Sequence, residues 1–67
     1  MALYVRDLKI AEGQKIQIIL RKSTRRMAVR RAQVILMSAQ SYSVKEIALQ
    51  TLMHPEYVRE LIRRFNR

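Results

Sequence analysis

Glycine and proline are almost absent from this chain of 67 residues, which contains one of each and no cysteine. A sheet protein of this size needs several tight turns, and tight turns draw mainly on Gly, Pro, Asn, Asp and Ser. Without cysteine pairs, a small fold has neither disulfides nor thiolate metal ligands to hold it together. The sequence therefore predicts an all-α domain with few, short connections, stabilised by its apolar core.

Hydrophobicity argues against a disordered chain and against a membrane-spanning chain. Hydrophobic residues make up 49% of the chain, which is too many for a disordered segment. The longest apolar runs, 18–20 and 34–37, are far shorter than the roughly 20 residues that cross a bilayer. The N-terminus also lacks the basic and then apolar order of a signal peptide. The sequence predicts a soluble, cytoplasmic protein that does not bind membranes.

Apolar spacing predicts four helices over 11–22, 24–39, 44–51 and 55–66, after an extended N-terminal arm over 1–10. In the first helix Ile16, Ile19 and Leu20 have the i, i+3, i+4 spacing of one helix face. Ser23 and Thr24 interrupt that pattern and are predicted to supply the N-cap of the second helix. The whole chain, 1–67, is predicted to be one domain.

The last two predicted helices have the clearest signals. Ser43 and Glu46 have the spacing of a capping box, and Pro55 suits the first position of a helix. Small Ala48 and branched Val58 suit the steep crossing of two helices joined by a tight turn. Residues 43–66 are therefore predicted to form a helix-turn-helix unit within a homeodomain-like, four-helix fold that has no room for a wing.

Charge indicates the class of partner. Fourteen Lys and Arg face five Asp and Glu, which gives a net charge of +9, and six basic residues without an acid lie between 21 and 31. Such a field attracts polyanions. A helix-turn-helix places its second helix in the major groove of double-stranded DNA, and duplex DNA is therefore the expected partner.

The candidate contacts fall into two groups. Side chains predicted to face outward from the last helix and to read bases are Glu56, Arg59, Glu60 and Arg63. Side chains predicted to contact phosphates are Arg25, Arg26, Arg30, Ser43, Lys45, His54, Tyr57, Arg64 and Arg67. For each the alternative is structural: a solvated face for the charged residues, helix capping for Ser43 and His54, and packing at the helix rim for Tyr57.

Catalytic patterns are missing from the sequence. The five acids are scattered among Lys and Arg, no Gly-rich phosphate loop is present, and the lone His54 has no second His or Cys beside it. We therefore predict that the chain has no catalytic residues, no metal site and no cofactor, and that it is not an enzyme.

The residues that carry a family resemblance run through most of the chain. The stretches 31–36, 38–39 and 43–48, together with Val58–Arg59 and Arg64–Phe65, resemble the N-terminal DNA-binding domain of bacterial insertion-sequence transposases of the mariner-like superfamily. In that family this domain binds terminal inverted repeats, and a separate carboxylate-bearing domain cuts the strands. The resemblance thus implies DNA binding without transposition, either beside a missing catalytic domain of a larger protein or as a small transcription regulator.

The chain departs from the family's pattern in its turns. The family has Gly where this chain has Leu52, Ser at the position of His54, and Gly near Ser41 or Tyr42. A non-Gly residue at positive φ is strained, so the turn before the last helix is expected either to be strained or to change shape. Leu52 and Met53 are expected to be exposed, as a patch for a partner subunit.

Other functions stay open at this point. One is a protein-interaction adaptor that forms a homodimer or docks on a larger protein through Val34, Met37, Leu52 and Met53. Another is an RNA binder that acts by charge alone. A membrane-surface helix is disfavoured, because the alanine-rich stripe of the second helix lacks the bulky apolar residues that such helices use.

Overall fold

The computed structural model describes residues 2–67, which form four α-helices and no strand. The helices are α1 (Ile10–Lys22), α2 (Arg26–Ala39), α3 (Val44–Thr51) and α4 (Pro55–Asn66). The predicted all-α class and the number of helices are confirmed, and α3 and α4 have the predicted bounds. None of the helices in this part of the chain is long and apolar enough to cross a membrane.

The connection between α1 and α2 differs from the prediction. Its Ser23 belongs to the end of α1, because its backbone N–H donates to the carbonyl of Ile19 at 3.0 Å. The chain then stays extended through Arg25, which is the N-cap of α2 but makes no side-chain capping bond. The predicted start at residue 24, with Ser23 or Thr24 as cap, is therefore wrong. Instead the Ser23 hydroxyl accepts a hydrogen bond from the N–H of Arg25 at 3.1 Å, within the connection between α1 and α2.

The core lies where α2, α3 and α4 meet. Four side chains there are fully buried, one or two from each helix: Val34, Ile47, Val58 and Ile62. Helix α2 contacts α1, α3 and α4, and α3 also contacts α4. Because Val34 is wholly inside this core, it is unavailable to the partner surface that the sequence suggested.

The turn between α2 and α3 is closed by a residue in the left-handed region. Ser41 has a φ of 70°, and its N–H donates to the carbonyl of Ser38 at 3.0 Å. The next N–H, that of Tyr42, donates to the carbonyl of Met37 at 3.1 Å. These bonds satisfy carbonyls at the end of α2, which would otherwise lack partners.

The N-terminal arm, residues 2–9, has no regular secondary structure but is docked firmly on the helices. The N–H of Val5 donates to the buried hydroxyl of Ser38 at 2.9 Å. Asn66 pairs with both neighbours of Val5: its Oδ1 accepts from the N–H of Arg6 at 2.7 Å, and its Nδ2 donates to the carbonyl of Tyr4 at 3.0 Å. The arm thus joins the end of α2 to the end of α4.

An ion pair joins the arm to the start of α1. The guanidinium of Arg6 donates to both carboxylate oxygens of Glu12, at 2.9 and 2.7 Å, and lies 4.5 Å from the ring centre of Phe65. Glu12 also accepts from the N–H of Lys9 at 2.9 Å. The Arg6 hydrogen bond is the main cause that lowers the pKa of Glu12 to about 2, and the Lys9 N–H adds to it. Helix α1 begins at Ile10, one residue before the predicted start.

Candidate nucleic-acid interface

The start of α3 has the capping box predicted from the sequence. The N–H of Glu46 donates to the Ser43 hydroxyl at 3.1 Å, and the N–H of Ser43 donates to a Glu46 carboxylate oxygen at 3.0 Å. Hydrogen bonds from Ser43 lower the pKa of Glu46. One acid of this chain is therefore engaged by capping, and Lys45, in the first turn of α3, is exposed.

The turn between α3 and α4 adopts a left-handed conformation without glycine. Leu52 has φ 57° and ψ 35°, and its N–H still donates to the carbonyl of Ala48. Its side chain is 87% exposed, as the sequence predicted. The matching expectation for Met53 is wrong, because Met53 turns into the core and is only 9% exposed. The turn therefore points one large apolar side chain outward and the next one inward.

The start of α4 is fixed by His54 and Pro55. The ring nitrogen Nδ1 of His54 accepts from the N–H of Glu56 at 3.1 Å, and Pro55 occupies the first helical position. The predicted N-cap role of His54 is confirmed. With its first turn capped in this way, α4 can hold the side chains of its outer surface at defined positions relative to α3.

The outer face of α4 carries alternating charges. Arg59 lies 3.4 Å from the Glu56 carboxylate, and Arg64 lies 3.3 Å from that of Glu60. Both ion pairs are long and exposed, and such pairs contribute at most about 1 kcal/mol, so their arginines can exchange partners readily. Arg63 is exposed and forms no ion pair with any residue in 2–67. The two acids thus have partners on their own helix.

A depression of about 190 Å³ brings residues from three elements together. Its lining consists of Ala2, Leu3, Tyr4, Ser43, Val44, Lys45 and Arg59. A predicted base reader, Arg59, is therefore next to two predicted phosphate contacts, Ser43 and Lys45. The sequence reasoning missed the part played by residues 2–4, because long-range docking of the arm through Ser38 and Asn66 brings them to this surface.

The other candidates lie elsewhere on the surface. Arg64 lies on the opposite flank of α4 from Arg59, where it lines a second depression together with Arg31. Tyr57 is half-buried and packs against the core, as its structural alternative expected. Arg67 is exposed at the end of α4.

The basic residues at the start of α2 form a separate group. Arg25 and Arg26 are exposed and Arg30 is half-exposed, and none of them forms an ion pair with any residue in 2–67. They are near the beginning of α2, whereas the connection to Ser43 leaves from its end. At 1.5 Å per residue, the helix separates these two points by about 20 Å. They therefore belong to a different part of the surface from Ser43 and Lys45.

No grouping of three or more His, Cys, Asp or Glu side chains suited to a metal ion occurs among residues 2–67. No family model, curated protein or solved structure matches the chain. The resemblance to transposase DNA-binding domains therefore rests on the sequence pattern and stays a prediction.

Proposed function

We propose that this chain binds double-stranded DNA through α3, the turn at Leu52 and α4, with α4 in the major groove. The observation that carries the proposal is the shared surface of Arg59, Ser43 and Lys45. It combines an arginine from the outer side of one helix with the N-terminus and a lysine of the helix before it. Guanidinium groups suit guanine edges, while helix N-termini and lysines suit phosphates.

Electrostatics support a polyanionic ligand. The net charge is +9, and four of the five acids are already engaged. Glu12 is paired with Arg6, Glu46 caps α3, and Glu56 and Glu60 are paired within α4. The remaining positive charge is therefore largely uncompensated, and release of counterions from DNA would favour binding.

Within this proposal, some residues read bases and others bind the phosphate backbone. Arg59 and Arg63 read bases, and Glu56 and Glu60 can accept from cytosine once Arg59 and Arg64 release them. Ser43 and Lys45 hold the phosphate backbone beside α4. Arg25 and Arg26, some 20 Å from the end of α2, and Arg30, about 13 Å from it, would contact phosphates further from the helix that reads bases.

This activity suits a transposase-like DNA-binding module or a small transcription regulator, acting at the nucleoid in the cytoplasm. A homodimer would bind two half-sites and raise the affinity of a module this small. On this proposal the chain binds and positions DNA and does not itself perform a reaction.

The test measures binding to duplex DNA by fluorescence anisotropy over a salt series, with a selected sequence from a random library beside a scrambled duplex. The double variant Arg59→Ala with Arg63→Ala should weaken binding to the selected sequence and reduce its preference over the scrambled duplex. Each bidentate arginine–guanine contact discriminates by about 1–3 kcal/mol. The matched control, Lys15→Ala with Arg21→Ala, removes the same charge from exposed positions on α1.

Three results would contradict the proposal. One is the absence of any selected motif, and another is an equal loss of affinity in the two double variants. The third is equal binding to RNA duplex of the same sequence, because the deep, narrow major groove of A-form RNA does not admit a helix. That last outcome would favour an RNA binder that acts by charge.

A further inference from the structure

A groove runs along α2 between α1 and α4. Both of these helices pack against α2, yet no Cα atom of α1 comes within 8 Å of one in α4. The space between them is covered neither by α3 nor by another helix. It forms two open, adjoining cavities of about 300 and 270 Å³ that share the residues Arg31, Ile35 and Phe65.

The surface of this groove is mostly apolar. Helix α1 supplies one wall, α2 the floor and α4 the other wall, through Ile16, Ile19, Ala28, Ala32, Ile35, Leu61 and Phe65. The floor includes two alanines, whose small side chains leave depth for a large side chain of a partner. A groove with this shape and lining suits an amphipathic helix that inserts a few bulky apolar residues.

The edge of the groove is basic. Arg31 lines both cavities and forms no ion pair with any residue in 2–67. Arg64 lines the first cavity, and its contact with Glu60 is a long, exposed pair that a better-placed carboxylate can replace. An acidic partner would therefore find both an apolar floor and a guanidinium beside it.

We propose that this groove docks an acidic, amphipathic helix from a partner protein. A second copy of the chain fits less well, because it would bring another +9 charge against Arg31 and Arg64. The lining residues of α2 run from Ala28 to Ile35, about 11 Å of helix. An occupant of three turns spans about 18 Å, which is enough to cover the groove from end to end. This site is separate from the surface of Arg59 and Lys45, so a partner and DNA can bind together.

The test uses the full chain and a synthetic three-turn peptide, rich in Glu and Ala, with Leu at i, i+3, i+4 and i+7. Binding is followed by calorimetry and by the NMR signals of the methyl groups of Ile16, Ile19, Ile35 and Leu61. Arg31→Glu reverses the charge at the groove, and Ala28→Gln fills its floor without changing charge. Arg21→Glu is the matched control, about 140° around α1 from Ile16.

The expected result is saturable binding that shifts the groove methyl signals and weakens by about tenfold or more in Arg31→Glu and in Ala28→Gln, but not in Arg21→Glu. A peptide with Lys in place of Glu should not bind. Circular dichroism confirms that each variant is folded.

Several outcomes would overturn the proposal. These are no binding at peptide concentrations up to about 1 mM, equal weakening by Arg31→Glu and Arg21→Glu, or shifts confined to the Arg59 surface. Self-association that Ala28→Gln abolishes would show that a second copy occupies the groove instead. DNA binding by the unmodified chain is measured separately, so failure of either proposal is distinguishable from failure of the other.

Discussion

Replacing Leu52 by glycine should stabilise this protein. Leu52 has φ 57° and ψ 35°, a left-handed conformation that costs about 1–2 kcal/mol for a residue with a Cβ atom. Its side chain is 87% exposed, so its removal sacrifices almost no apolar burial. Glycine offsets about 0.4–1 kcal/mol of this gain, because it increases the conformational entropy of the unfolded chain. The net gain in the free energy of unfolding is about 0.5–1 kcal/mol, which raises Tm by roughly 4 °C in a domain this small.

Thermal and urea denaturation followed by circular dichroism measure this effect. The control is Leu49→Gly, which also removes an exposed leucine, 68% exposed, but from the interior of α3. There glycine relieves no strain and should cost about 1 kcal/mol. The two variants should therefore shift Tm in opposite directions. If Leu52→Gly lowers Tm as much as Leu49→Gly does, the leucine is not strained at this turn and the reasoning fails.

Two further variants test the core and the arm. Ile47→Ala leaves a cavity at a fully buried position and should lower the free energy of unfolding by about 2–5 kcal/mol, a large part of the total stability of a domain this small. The control Leu49→Ala, at an exposed position, should change it by less than about 0.5 kcal/mol. Similar urea midpoints for the two variants would refute this prediction. The Arg6 contact lowers the pKa of Glu12 to about 2 from its ordinary 4.5, so the stability due to ionised Glu12 is complete above pH 4.5 and is lost as the pH falls towards 2. Glu12→Gln should remove this part of the acid dependence of the urea midpoint, and parallel curves for the two proteins from pH 4.5 down would contradict the assignment.

Much of the secondary structure follows from the sequence, because its signals are local. The capping box of Ser43 and Glu46 and the position of Pro55 predicted the starts of α3 and α4. The same rules failed before α2, where Ser23 was expected to cap the next helix but ends the previous one. A serine between two helices carries the same local signal for either role, and the packing of α1 on α2 decides between them.

The candidate interface could be predicted only in part. Spacing along α4 separated its charged outer residues from the buried Val58, Leu61 and Ile62. It did not tell which flank of α4 meets the start of α3, and so it could not place Arg59, the predicted base reader, and Arg64, a predicted phosphate contact, relative to Lys45. The tertiary structure separates them, with Arg59 beside Lys45 and Arg64 beside Arg31.

The sequence by itself determined that this protein is helical and strongly basic, and that its last two helices are capped and joined by a tight turn. These properties depend on composition and on contacts between residues three or four positions apart, which a linear pattern records. Only the tertiary structure decided that the arm docks through Asn66, some 60 residues from Arg6, that Met53 turns inward while Leu52 stays exposed, and that α1 and α4 leave a groove on α2. Each of these depends on contacts and packing between side chains far apart in the chain, which no local pattern records.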